Sequence, residues 1–404
     1  MKGHAMSASY LDNNATTRVT PEVLEVMLPF FTEQYGNGSS MHSFGESVSR
    51  AIRRARGQVQ ALVGAEHDHE IIFTSGGTES DNLAILSALE GAPRRREIIT
   101  STVEHPAILA LCAFLEKSKG ILVHRIGVDK NGLLDLEAYR AALSDRVAIV
   151  SLMWANNETG AIFPVEALAE EAKAVGALFH TDAVQAVGKI PVDLKSTAID
   201  MLSLSGHKFH APKGIGALYM RRGERFKPQF KGGQQERGRR PGTENTPGIV
   251  GLGAAADLAL RHLPEEQSRV RAMRDRLEKG VLQRVGSTIL MAGTSERLPN
   301  TTTIAFEFIE GEAILLHLSR AGIAASSGSA CSSGSLEPSH VLRAMDIPFT
   351  AAHGAIRFSL SRENSDADVD RVLETVPGVI AKLRGLSPFW SESGAPPTQV
   401  FMPV

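Results

Sequence analysis

Cysteine is scarce in this sequence: Cys112 and Cys331 are the only two among 404 residues. Two cysteines cannot build a disulfide framework, and their scarcity fits a reducing compartment. Net charge is almost absent as well. The 43 basic and 45 acidic residues leave −2, so no global field draws in nucleic acid or an anionic membrane, and any partner must be recognised locally. No apolar run approaches the roughly 20 residues needed to span a bilayer, and the N-terminus lacks a basic segment followed by an apolar stretch. A cytoplasmic protein is expected from these absences. The first nine residues, MKGHAMSAS, carry no periodicity and are left out of the fold reading.

What is present is ordinary in bulk and informative in order. Hydrophobic residues make up 43% and charged residues 22%, as in a well-packed globular protein. The length exceeds what one hydrophobic core supports, so two lobes are expected. From about residue 47 to 222, helical patterns alternate with short apolar runs, the pattern of a parallel sheet covered by helices on both faces. Strands are expected at 70–75, 97–101, 147–154, 177–183, 201–206 and 215–220, and helices at 47–64, 79–89, 107–119 and 166–176. After about residue 264 the character changes. Long helical stretches over 244–285, strands at 301–308 and 355–361, and helices at 312–322 and 366–384 read as a smaller α+β lobe, followed by a loosely ordered tail after Ser387.

Ligands in open α/β sheets sit beyond the carboxyl ends of the strands, which directs attention to the residues just after each strand. After EIIF comes TSGGTESDN, where Gly76 and Gly77 allow close backbone approach and Thr78 with the following helix start offers donors to an anion. A capped helix start, with Thr78 and Asp81 in capping-box-like spacing, reads the same residues without a ligand. Asp182 ends another strand and can hold a pyridinium nitrogen protonated, with Gln185 within reach of a ring hydroxyl; the plain alternative is a turn cap. Strand 201–206 delivers Ser205, His207 and Lys208. A desolvated lysine amine there can attack an aldehyde, and flanking Gly206, Pro212 and Gly214 argue against a simple surface charge. His105 stands after strand 97–101, able to stack on a ring or relay protons, or merely to cap the next helix. Asn157 adds an amide at the same edge, and neighbouring Glu158 reads as structural.

Three features lie elsewhere. Cys331, in ASSGSACSSGS, sits in a polar, flexible setting suited to a reactive thiolate, although a loop cysteine can be incidental. Cys112, among apolar residues of a helix, reads as packing. Arg357 leaves a strand of the small lobe, where its planar fork suits a carboxylate, in a substrate or in a structural pair. The segment GGQQERGRRPGTENT is rich in arginine, but with a near-neutral chain and no aromatics it reads as a Gly-rich loop bringing Thr243 to a phosphate rather than as a nucleic-acid patch.

Taken together, YLDNNATT, TSGGTESDN, EHPA, NNETG, HTDAVQAVGK, SGHKFHAPKGIGALY, ERGRRPGTEN and SSGSACSSGSLEPSH resemble the cysteine desulfurases, pyridoxal phosphate enzymes of the class V aminotransferase group. The resemblance is closest to the nitrogen-fixation (NifS) type, through MWANNETG, GEAILL and IPFTAAHG, with the housekeeping type also similar. It implies an α/β fold of pyridoxal phosphate fold type I, with a mostly parallel seven-stranded sheet between helices in a large domain, 17–263, and a smaller α+β domain formed by 1–16 and 264–404. It further implies that Lys208 binds the cofactor aldehyde and serves as base, that His105 stacks on the ring, and that Asp182 and Gln185 meet the ring nitrogen and oxygen. Gly77, Thr78, Ser205 and His207 would hold the phosphate, joined by Thr243 from a second subunit of a homodimer. Asn157 would touch the cofactor, Asn14 and Arg357 the cysteine substrate, and Cys331 would take its sulfur and pass it to an iron-sulfur scaffold protein. No standing metal site is implied beyond transient iron-sulfur ligation by Cys331. Gly38, Gly77, Gln234 and Ser332 depart from the family's usual residues without touching a chemical role. An ordinary class V aminotransferase or a selenocysteine lyase would share the cofactor residues, and a scaffold protein could keep the fold alone.

Overall fold

Short runs rich in Ile, Val and Leu become the strands of a seven-stranded sheet in the computed structural model, which describes residues 8–327 and 338–390. In chain order they are β1 (Ile71–Thr74), β2 (Glu97–Ser101), β3 (Leu122–Ile126), β4 (Val147–Met153), β5 (Leu178–Asp182), β6 (Met201–Ser205) and β7 (Gly216–Met220). They lie side by side as β1-β7-β6-β5-β4-β2-β3. All neighbours pair in parallel except β7, which runs antiparallel to both β1 and β6. Six of these strands match the expected runs, because burial on both faces leaves them nearly continuous in apolar residues. β3 was not expected. It is an edge strand whose alternating exposure accommodates His124 and Arg125, so it carries no apolar run to read.

Helices cover both faces of the sheet, and two apolar layers result. One contains Val59, Leu152, Phe163, Phe179 and Leu252; the other contains Ile72, Leu83, Ile85, Cys112 and Leu218. Helix Ser43–Val63 packs along helix Thr246–Glu265, where a Cβ on Gly253 would stand 2.5 Å from Ala55 Cα, so the two backbones approach through this residue. The expected long helical stretch continues through a π-helical turn, Glu266–Val270, into helix Arg271–Arg284. Short helices Pro21–Met27 and Leu136–Ala142 were not foreseen; seven residues give too few turns for a readable period.

A third apolar cluster, with Leu11, Val270, Phe306, Phe358 and Val376, forms around a four-stranded antiparallel sheet. Its strands lie in the order Ser326–Ser327, Ala355–Ser359, Thr301–Phe306 and Thr288–Leu290, flanked by helices Gly311–Arg320 and Asp366–Leu386. Strand Ser9–Tyr10, partly inside the segment left out of the sequence reading, pairs in parallel with Ile323–Ala324. Through it the chain start is tied to the later part of the fold, and residues 12–17 run across to the ends of β5 and β6. Among the described residues no helix is long and apolar enough to cross a membrane. The expected loop around Cys331 and the tail beyond residue 390 lie outside the described residues.

Candidate active site

The strand ends named from the sequence do meet. Gly77, Thr78, Ser205 and His207 line one cavity of about 400 Å³, together with Thr16, Ser75, Gly76, Glu79, Lys213 and Gly214. Helix Gly77–Gly91 begins there with Gly76 as its N-cap and no side chain closing its first N–H groups, so Thr78 and Asp81 do not form the capping box that was the plainer reading. Open helix N–H groups, four hydroxyls, an imidazole and the Lys213 ammonium form a donor set suited to a phosphate. Glycine is required by crowding. Gly76 has φ 153° and ψ −172°, and a Cβ on Gly216 of β7 would lie 2.5 Å from Leu204 O and 2.7 Å from Gly76 Cα. Gly216→Ala is therefore expected to push the cradle open, costing about 1–3 kcal/mol of stability and weakening retention of a phosphate-bearing cofactor about tenfold. Denaturant unfolding and the cofactor remaining after dialysis measure the two effects.

Lys208 closes the short 3-10 turn Gly206–Lys208 that follows β6, and its Nζ donates to the carbonyls of Asn14 at 2.7 Å and Ala15 at 2.9 Å. Burial pulls the amine down to about 8 and the Arg357 guanidinium adds to this, while Asp182 and Asp12 oppose it. Only the neutral amine attacks an aldehyde. Uptake of pyridoxal phosphate by the unloaded protein should accordingly accelerate as pH rises through about 8, followed by visible absorbance in stopped flow; a rate flat from pH 7 to 9 would remove Lys208 as the attacking group. Asp182, at the end of β5, accepts from Val184 N–H at 2.9 Å through Oδ1. Burial raises its carboxyl, against the pull of that N–H and of His105 and Lys208, so these three side chains share one field. His105 caps helix Pro106–Lys119 by accepting from Ala107 N–H on Nδ1 at 3.1 Å, and the charges of Asp182 and Lys208 act on its ring. The capping reading holds for this residue.

The remaining predicted residues form the wall towards the second sheet. Arg357 Nη2 pairs with Asp12 Oδ1 at 2.8 Å and Nη1 donates to Asn157 O at 2.9 Å, while its buried Nε has no partner among the described residues. Asn14 is fully buried: Nδ2 donates to Thr301 Oγ1 at 2.8 Å and to Asn157 O at 3.1 Å, and Oδ1 accepts from Asn300. Its side chain thus ties the chain start to the second sheet, and its backbone carbonyl is what meets Lys208. Gln185 donates from Nε2 to that same carbonyl at 3.0 Å.

A family model described as aminotransferase class-V matches residues 9–372. The chain belongs to the class V aminotransferases. It is 69% identical over 390 residues, 96% of this chain and 98% of the relative, to a cysteine desulfurase of Gluconacetobacter diazotrophicus. It is also 60% identical over 401 residues, 99% of this chain and 100% of the relative, to "Cysteine desulfurase NifS" of Azotobacter vinelandii. Among solved structures, one titled "NIFS-LIKE PROTEIN" is similar with a TM-score of 0.87 at 38% identity, covering 93% of this chain and 100% of that one. Another, titled "SspA in complex with cysteine", has a TM-score of 0.77 at 35% identity over 87% and 98% of the two chains. The fold is fold type I and the family within the class V aminotransferases is that of the cysteine desulfurases, pyridoxal phosphate enzymes.

Two predicted residues stand apart in this class V aminotransferase. Cys331 lies outside the described residues, and Thr243 lines a separate cavity of about 290 Å³ with Tyr35, Asn37 and Asn245 rather than the cradle. The arginine-rich segment before Thr243 is spent within the chain: Arg239 donates to His69 O, Arg240 pairs with Glu79, and buried Glu236 pairs with Arg56 and accepts from Phe73 N–H. Cys112 is buried in its apolar layer, and burial pushes its thiol up to about 12.

The sequence reading missed what lies behind Asp182. Asp81 and Glu104 are buried beside it, and His180 on β5 bonds Ser151 at 2.9 Å and Ser203 at 2.8 Å, with Asp81 at 3.6 Å. Burial pushes Glu104 up to about 8, against the Ser101 hydroxyl and Met153 N–H that it accepts from, and Asp182 pushes it further. A carboxyl raised on folding binds more protons folded than unfolded, so its contribution to stability falls as pH rises from about 5 to about 8. Glu104→Gln should gain on the wild type across that window, by on the order of a few kcal/mol at pH 8. Urea melts at pH 5 and pH 8 measure the difference; equal gaps at both would contradict it.

Proposed function

We propose that this chain removes sulfur from L-cysteine, releasing L-alanine and leaving a persulfide on Cys331, with pyridoxal phosphate as cofactor. The observation that carries the proposal is the meeting of Lys208, Asp182 and His105 beside an uncapped helix start lined by Gly77, Thr78, Ser205 and His207. When bound, the cofactor supplies an electron sink conjugated to the substrate Cα. Asp182 would keep the ring nitrogen protonated, Gln185 would meet the ring oxygen, His105 would stack on the ring and Asn157 would border it. Gly77, Thr78, Ser205 and His207 would hold the phosphate, and Thr243 of the partner subunit would complete that set in a homodimer. Lys208 first anchors the cofactor and then takes the Cα proton on Nζ, a task served by an amine pulled down to about 8. Arg357, steadied by Asp12, receives the substrate carboxylate, with Asn14 beside it.

The Cys331 thiolate attacks the substrate sulfur as the carbon–sulfur bond breaks. Cys331–SH plus L-cysteine gives Cys331–S–SH plus L-alanine, which balances without an added oxidant or reductant. The persulfide then passes to an acceptor, an iron-sulfur scaffold protein in the cytoplasm, and Cys331 serves there as a transient iron-sulfur ligand. Likeness to the nitrogen-fixation type favours nitrogenase cluster assembly as the destination. The chain divides for this task into a large unit, 17–263, and a small unit of 1–16 and 264–404; inclusion of Leu11 in the apolar cluster of residues 270–380 supports the division.

The experiment is incubation of the purified protein with L-cysteine, followed by mass spectrometry of the persulfidated peptide. The proposal expects the added sulfur on Cys331. Cys331→Ala should keep the visible absorbance of the loaded protein yet lose sulfide release, and unchanged turnover would remove Cys331 and return the chain to a general class V aminotransferase or selenocysteine lyase.

A further inference from the structure

Lys189 is a buried lysine that the reaction described above does not use. It follows Gly188, whose φ of 79° turns the chain where a Cβ would crowd Phe209 Cβ at 3.2 Å and Ala259 Cβ at 3.3 Å, and its carbonyl accepts from Gln267. The turn sends the side chain inward to 5% exposure. Nζ there donates to Gln185 Oε1 at 2.8 Å and to Asn14 Oδ1 at 3.3 Å. These are the two residues that meet at the Asn14 carbonyl, which accepts from Gln185 Nε2 at 3.0 Å and from Lys208 Nζ at 2.7 Å.

An ammonium has three donors and no acceptor, so it selects the oxygen end of a neighbouring amide. Lys189 thereby fixes Gln185 with Oε1 inward and Nε2 towards the Lys208 side, the orientation in which that amide can donate to an acceptor oxygen in the site. The same ammonium holds Asn14 Oδ1, which keeps the Asn14 carbonyl aimed at Lys208. We propose that Lys189 is a positioning residue for the Lys208 amine and for Gln185, acting through Asn14 and without touching substrate. The inference rests on the reading of Lys208 as the amine that binds the cofactor.

Charges facing the pair come from several elements. Lys208, Glu266 and Arg357 act on Lys189, His207 and His210 feel it, and Arg357, Asp182 and Asp12 act on Lys208. Burial pulls Lys189 down to about 7 and the neighbouring Lys208 charge adds to the pull.

The test is Lys189→Met in the full chain loaded with pyridoxal phosphate. With far-UV circular dichroism unchanged, the titration midpoint of the visible absorbance should shift, because the Asn14 carbonyl that meets Lys208 Nζ is no longer held in place. kcat for alanine formation should fall about tenfold with KM for cysteine within about twofold, the size of one charge-assisted hydrogen bond lost from the scaffold. Lys189→Arg should restore both. An unmoved midpoint with unchanged kcat in folded Lys189→Met overturns the inference. Should Lys189→Met not fold, Lys189→Gln decides instead: with only one amide nitrogen left to serve the two oxygens, kcat should fall with KM held, and an unchanged kcat overturns the inference. A wild-type protein that gains no visible absorbance with pyridoxal phosphate would fail the reading of Lys208 itself, a different result from any of these.

Discussion

Lys208→Ala is expected to abolish visible absorbance with pyridoxal phosphate and to lower alanine formation from cysteine on the order of 10⁴-fold or more, since one side chain both anchors the cofactor and moves the proton. The fold should survive. Lys208 is half-buried, and among the described residues its Nζ bonds the Asn14 and Ala15 carbonyls alone, so removal leaves two acceptors that water can reach. Loss of its charge also relieves Lys189 and His207, both pulled down in part by Lys208. The expected signature is a protein that melts like the wild type, stays colourless and turns over nothing. A coloured, active Lys208→Ala protein would mean that another amine holds the cofactor.

Asp182→Asn should separate activity from stability. An amide cannot hold the ring nitrogen protonated as a carboxylate does, and loss of one such preorganised partner lowers kcat about 10²–10³-fold. Stability should stay level or rise by about 1 kcal/mol. The reason is the setting: Asp182 is buried with Asp81 and Glu104 and raises both of their carboxyls. Removing the central charge relieves Asp81 and Glu104 together. The unloaded protein therefore carries a repulsion at this spot that a cationic ring nitrogen would offset. A variant that loses both activity and stability would show that Asp182 is chiefly a structural cap.

Much of this was legible before any coordinates. The strands buried on both faces declared themselves as apolar runs, and looking just past their ends found Gly77, Thr78, Asp182, Ser205, His207 and Lys208, because strand ends in such sheets share one edge. β3 escaped because an edge strand alternates, and Ser9–Tyr10 because two residues have no period. The deeper part of the site was silent for a different reason. Lys189, Glu104 and Asp81 look in sequence like any helix or loop charge, and only the three-dimensional fold shows that they are buried beside Asp182 and Lys208. The amide of Asn14 also bonds Thr301, Asn157, Asn300 and Lys189, contacts over large sequence separations that no local pattern encodes.

The most direct measurement loads the protein with pyridoxal phosphate, reduces it with borohydride and maps the modified lysine by peptide mass spectrometry. A pyridoxyl group on Lys208 alone is the predicted result. Modification at Lys189, Lys213 or surface lysines with Lys208 left free would contradict the claim that β1, β5 and β6 end around one cofactor.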